Sequence, residues 1–368
     1  MVPAADVADL GVTLHDRRAF LSAAGAALAL APVCARADTP RREWWIGGRR
    51  VKTVDIHAHI APDLSSVIGD TPFQARSQSN LQIPREIDAA RFARMDSQGI
   101  DVQVLSVNPY WYEMDRALAQ RFIDAQNAKL AEITQAYPNR LYAMATVAMQ
   151  FPDLAVSQLE DAVMRRGLRG VSLGCTIAGE ELASRRFDPF WSRCQDLGVM
   201  VFLHPQDSAA VTGVARRMQG AGSLAYVIAN PLETTIALSH MIFEGTFDRF
   251  PRLRICGAHG GGYLPSYADR ADWGCTANRQ TCVGDPVLKK KPSEYMRQIY
   301  VDALVFTPEA TRHLAAVVGP RHMMIGTDSP IPWVQSPVET VLATPGLSSE
   351  DKIAILGGTA CGLLGIPV

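Results

Sequence analysis

The sequence predicts an α/β fold, a single-domain (β/α)8 barrel of the TIM type. Three observations predict it. Apolar β-like runs alternate with amphipathic helical stretches about eight times along the 368 residues, the pattern of a parallel sheet with helical crossovers. No shift in composition and no internal repeat divides the chain beyond its N-terminal segment. Histidines and an aspartate stand at the ends of β-like runs, where barrels of this type build their sites.

Residues 1–37 read as an export signal. Asp16-Arg17-Arg18-Ala19-Phe20-Leu21 resembles a twin-arginine motif, an Ala-rich apolar stretch runs from Ala19 to Val33, and Ala35-Arg36-Ala37 is a small-x-small cleavage site. Val33 is larger than lipid attachment prefers before a cysteine, which speaks against a lipoprotein at Cys34. The mature chain then starts near Asp38, is periplasmic or secreted, and forms the barrel over residues 38–368. With 48% hydrophobic and 20% charged residues it has ample material for a core. A net charge of −1 with scattered Lys and Arg gives nucleic acid or an anionic membrane nothing to bind. After the signal no apolar run approaches the roughly 20 residues that span a bilayer, so no stable membrane anchor is expected.

The first strand is Val54-Asp55-Ile56-His57-Ala58-His59-Ile60, and the polar stretch from Ala61 to Pro84 is long enough for a functional loop. Ile87, Ala90, Phe92 and Met95 give helical spacing over Glu86–Gln98, stopped by Gly99. A strand over Asp101–Val107 ends at Asn108-Pro109, and a long helix covers Met114–Ala136. Then come strand Leu141–Val147, helix Leu154–Arg166, strand Gly170–Leu173, helix Phe187–Leu197 and strand Val199–Leu203 into His204. A helix over Pro231–Phe247 precedes the strand Leu253–Ala258 into His259, where Gly260-Gly261-Gly262 makes a tight turn. Helical pattern continues through Tyr267, followed by a Cys-containing loop over Gly274–Lys291. Strand Ile299–Leu304, helix Pro308–Val318, strand Met323–Thr327 into Asp328 and helix Ser348–Leu364 close the fold.

A strand alternates its side chains, so both imidazoles of His57-Ala58-His59 point the same way and form half of a divalent-metal site. His204, His259 and Asp328 supply further ligand chemistry from other strand ends.

The ligand pattern resembles the amidohydrolase superfamily, and within it the branch of aminocarboxymuconate-semialdehyde decarboxylase. The likeness runs from about Asp55 to about Leu364. It is densest over 230–262 (NPLETTIALSHMIFEGTFDRFPRLRICGAHGGG), 300–305 (YVDALV) and 325–332 (IGTDSPIP), with His204-Pro205 and the His-Gly-Gly-Gly at His259 as specific motifs. The resemblance implies that His57, His59, His204 and Asp328 hold one divalent metal, zinc first and manganese second, with a water in the open position. His259 is then the general base on that water. The lysine that bridges two metals in other amidohydrolases is missing from Gly170–Cys175, which implies a mononuclear centre.

The implied activity is non-oxidative decarboxylation of a small unsaturated or aromatic carboxylic acid. A hydrolase of lactones or amides, or a hydratase, is the alternative on the same residues. A third reading, an exported zinc-binding protein without catalysis, has no use for His259. Arg270 matches an arginine that the family lends across a homodimer interface to grip the substrate carboxylate. The family's second arginine has no clear counterpart, and Arg76 and Arg85 are its weak candidates. Gln206 after His204-Pro205 and Ser329 after Asp328 replace family aromatics and make the pocket more polar, while Trp111, Tyr112 and Trp333 are expected to line it. Six of the seven cysteines follow the signal. Cys256 reads as a buried thiol, and Cys275 and Cys282 are read as unlinked in preference to a disulfide.

Overall fold

The computed structural model describes residues 41–79, 83–206, 213–278, 282, 287–333 and 336–368. The expected export signal at 1–37 lies outside the described residues. Eight strands carry the barrel: β1 Val54–His59, β2 Val102–Ser106, β3 Leu141–Ala143, β4 Val171–Gly174, β5 Met200–His204, β6 Arg254–Gly257, β7 Tyr300–Asp302 and β8 Met323–Met324. All neighbours pair parallel, in one arc β1-β2-β3 and a second arc β4-β5-β6-β7-β8. Single parallel bridges join the arcs at both seams, Ala145 with Val171 and Ala58 with Ser329. The second seam is reinforced by Ile56 N–H donating to Ile325 O at 3.0 Å and His59 N–H to Ser329 O at 2.7 Å.

Each strand feeds a helix on the outside. These are α1 Ala89–Gln98, α2 Arg116–Ala136, α3 Pro152–Glu160, α4 Asp188–Leu197, α5 Asn230–Phe243, α6 Leu264–Ala277, α7 Pro308–Val318 and a closing α8 that starts at Ser349–Ile353 and ends at Thr359–Leu364. Their starts follow local chemistry. Asp88 accepts from Arg91 N–H, Asp115 from Leu118 N–H and Thr307 from Ala310 N–H. Strands β1, β2, β4 and β5 are buried along their whole length, as parallel strands covered by helices must be. Inside the barrel Ile56, Val104, Met144, Phe202, Cys256 and Met324 pack together, and the larger apolar layer lies between strands and helices. No helix among the described residues is long and apolar enough to cross a membrane.

Several boundaries differ from expectation for physical reasons. Asp88 caps α1, so it begins three residues after Glu86. The third strand pairs only to Ala143, and the last only to Met324, because beyond them the backbone bonds go singly across the seams. Helix α6 runs on to Ala277 and so carries Cys275, which forms a disulfide with Cys282 and corrects the unlinked reading. A hairpin of Trp44–Ile46 with Arg49–Val51 was not anticipated. Its signal was Gly47-Gly48, both with positive φ, as a two-residue hairpin turn requires.

Candidate metal centre

His57 and His59 come from β1, His204 from the end of β5, and Asp328 from the turn after β8. One ligand atom from each lies within 4.8 Å of all the others, and all four residues are buried. His57 Nε2 is 3.1 Å from His59 Nε2, and Asp328 Oδ1 is 2.9 Å from His59 Nε2 and 3.3 Å from His57 Nε2. His204 sits edge-on to both, its ring centre 5.0 Å from that of His57 and 4.6 Å from that of His59. His259 stands beside the group, Nε2 3.8 Å from Asp328 Oδ2, with Nδ1 buried and unpartnered.

Two of these residues are held in an uncommon backbone conformation. His259 has φ 55° and Asp328 φ 57°, the left-handed region that costs a non-glycine residue about 1–3 kcal/mol. Asp328 is kept there by its N–H donating to His57 O at 2.8 Å, and His259 by its N–H donating to Asp302 Oδ2 at 2.9 Å. The turn continues with Gly260, Gly261 and Gly262 at φ 67°, 76° and 69°, and a Cβ on Gly262 would fall 2.2 Å from Pro231 O.

Further groups orient the ligands from behind. His57 Nδ1 pairs with Asp302 Oδ2 at 2.7 Å and His59 Nδ1 with Ser106 Oγ at 3.1 Å. Asp55 Oδ1 accepts from His57 N–H and Thr327 N–H, and its Oδ2 from Thr327 Oγ1–H and Gln103. Buried Arg91 donates to Gln103 Oε1 at 2.9 Å and to His59 O at 2.6 Å, closing a network under β1.

Burial works against charge throughout this centre, and the carboxylates decide where it survives. Burial would lower His57, but Asp328 and Asp302 outweigh it and push it up to about 10. Asp328, though buried, is held well below the usual carboxylate range, chiefly by His57. Burial, with the histidines around it, drives His204 well below its ordinary value. Both ring nitrogens of His204 are buried without a partner, and two other imidazole nitrogens face each other at hydrogen-bond distance. Such an arrangement fits a divalent cation at its middle: three imidazoles and a carboxylate match the preferences of zinc or manganese. No other group of this kind occurs among the described residues, and β4, Val171–Gly174, carries no lysine.

A family model described as amidohydrolase matches residues 54–366. The chain belongs to the amidohydrolase family. The 2-amino-3-carboxymuconate-6-semialdehyde decarboxylase of Dictyostelium discoideum is 29% identical over 338 residues, 85% of this chain and 91% of that protein. Among solved structures, 5-carboxyvanillate decarboxylase from Sphingomonas paucimobilis superposes with a TM-score of 0.75 at 24% identity, over 86% of this chain and 100% of that one. A dihydroxybenzoic acid decarboxylase from Polaromonas sp. JS666, described with bound manganese, gives 0.70 at 23% identity over 86% and 97%. This amidohydrolase thus falls in the aminocarboxymuconate-semialdehyde decarboxylase-like branch, and it is a carboxy-lyase.

The remaining expected site residues separate. Arg270 is an exposed side chain in the middle of α6 and makes no ion pair among the described residues. Arg76 and Arg85 pair with Glu113 and Asp63 on the surface. Trp111 is fully buried and donates to Val147 O at 2.9 Å, so it is core rather than lining. Tyr112 receives Gly174 N–H at 3.0 Å. Trp333 does reach the centre: its indole N–H donates to Asp328 Oδ2 at 2.8 Å, and its ring meets Phe306 edge-on. Asp302, Asp55 and Ser106 escaped the sequence reading as site residues. Their signal was a polar side chain within a buried strand, with the family-like stretch 300–305 adding weight for Asp302.

Proposed function

We propose that this carboxy-lyase removes carbon dioxide, without oxidation, from a small planar carboxylic acid, unsaturated or aromatic. The observation that carries the reading is His259, with an unpartnered ring nitrogen, placed beside a four-ligand cluster at the end of the barrel where such sites are built. His57, His59, His204 and Asp328 would hold a divalent ion, which would supply Lewis acidity toward a substrate oxygen. His259 handles the proton. As the bond between the carboxylate and its carbon breaks, the electron pair stays on that carbon and is taken up by a proton, and the carboxylate leaves as carbon dioxide. Trp333, bonded to Asp328, and Phe306 against its ring are both partly exposed aromatics and give a planar acid a surface to stack on.

The named relatives act on substituted aromatic or muconate acids, which supports the substrate class, and the one described with manganese keeps that metal beside zinc in the proposal. In this reading Arg270 serves the site of a second copy in a homodimer. Exposed Tyr267 and Trp273 on the same helix support a covered face there. The proposal also places the mature enzyme outside the cytoplasm. The twin-arginine-like motif supports this, as does the Cys275–Cys282 disulfide, a bond that persists in oxidising compartments.

The test is carbon dioxide release from a panel of unsaturated and aromatic acids, with metal content measured on the same sample. Release that scales with about one metal per chain is expected. Turnover of lactones or amides with no carbon dioxide would move the chain to the hydrolase alternative.

A further inference from the structure

Asp302 ends β7 inside the stretch Ile299–Leu304, in which every other residue is apolar or aromatic, and it is fully buried. A carboxylate taken out of water must have its lone pairs satisfied. Those of Asp302 are filled by four donors and no arginine or lysine: His57 Nδ1 at 2.7 Å, His259 N–H at 2.9 Å, Gly260 N–H at 2.8 Å and Leu304 N–H at 3.2 Å. Two consequences follow. For the neutral ring that a metal binds, an acceptor facing His57 Nδ1 requires the proton on that nitrogen, which leaves the Nε2 lone pair turned toward His59 and Asp328. The same carboxylate anchors two successive amides of the left-handed turn that presents the His259 ring.

We propose that Asp302 is a positioning residue that ties metal binding to the placement of the base. It sets the tautomer of His57 and clamps the His259-Gly260 turn with one side chain. It touches neither substrate nor metal. The inference rests on the metal-centre reading but not on the choice of substrate.

The variant that tests it is Asp302→Asn, which keeps size and removes the all-acceptor character. Because every partner is a donor, either orientation of the amide sets its NH2 against another N–H. Zinc affinity of the demetallated full chain, measured by competition with a chromogenic chelator, is expected to fall about 10–100-fold. The visible spectrum of the cobalt-substituted variant is expected to shift. Unchanged zinc affinity in a folded Asp302→Asn protein would overturn the proposal, even if its melting temperature fell. Should that variant not fold, nitrogen NMR of the zinc-loaded wild type decides. A His57 ring protonated on Nδ1 supports the role, and one protonated on Nε2 refutes it. Neither readout uses turnover, so a wild type that binds zinc but decarboxylates nothing would sink the proposed function and leave this inference standing.

Discussion

The two ends of the barrel treat charge in opposite ways. At the N-terminal end of the strands buried and half-buried charges are held by fixed partners. Arg50 grips Asp101 with two bonds of 2.7 and 3.2 Å, Thr53 N–H adds another at 2.9 Å, and Arg254 donates to Gly198 O at 2.6 Å. At the C-terminal end both nitrogens of His204 and Nδ1 of His259 are buried with no protein partner, and His259, Phe306 and Asp328 sit in left-handed backbone. The first end is arranged for stability. The second keeps unsatisfied ligands and strained turns ready for something that is not protein, which is the division of labour expected of this architecture.

Substitutions should separate the ends cleanly. The largest effect is expected from Asp328→Ala, which removes the only carboxylate ligand. Metal content after dialysis and turnover should both collapse, with affinity down at least about 100-fold. A variant that retained stoichiometric metal would remove Asp328 from the ligand set. His259→Ala should keep the metal and lose about 10²- to 10⁴-fold in kcat, read from carbon dioxide release on metal-assayed protein. Full activity would mean that the proton comes from elsewhere. Trp333→Phe keeps a ring on the rim but deletes the indole donor to Asp328 Oδ2, and a drop of about tenfold in kcat/KM with unchanged metal is expected.

At the opposite end the readout changes from rate to stability. Asp101→Ala should cost about 2–3 kcal/mol in urea unfolding while kcat at saturating metal stays put, because it leaves Thr53 N–H unpaired and Arg50 with Glu43 alone, at the opposite end of β1 from the cluster. The smallest effect concerns His322, which stacks on Tyr300 and is held below its ordinary value by burial and by Arg297. The unfolded chain therefore binds the proton first. That contribution is fully present above about pH 6.5 and is lost as pH falls through the lower folded value. Acid-induced lowering of Tm should accordingly be shallower in His322→Gln than in the wild type.

Most of the fold was legible in the sequence because its signals are local. Gly99 stops α1 with φ 67°, the Pro308–Val318 helix is found between its expected bounds, and alternating β and α patterns leave a parallel sheet as the economical solution. The residues of the candidate centre, His57, His59, His204, His259 and Asp328, were legible too, because each stands at a strand end with few other roles for its side chain. Trp111 shows where local reading fails. A tryptophan near a strand end looks like pocket lining until packing places it at 0% exposure with its N–H spent on Val147 O. The Cys275–Cys282 bond likewise depended on how far α6 ran before turning.

By itself the sequence determined the barrel, the His-x-His strand, the five strand-end candidates for the centre and the turn that carries His259. Those follow from periodicity, from glycine's freedom at positive φ and from the few side chains able to hold a metal, while the division into four ligands and a base is what the family resemblance implies. Only the tertiary structure decided that Asp302 and Asp328 flank His57, that Trp333 donates to a ligand carboxylate, and that the barrel closes through single bridges rather than long ladders. These are contacts between residues up to 271 positions apart, as with Ala58 and Ser329. Their geometry depends on the tilt and register of all the strands between them, and no local pattern encodes that.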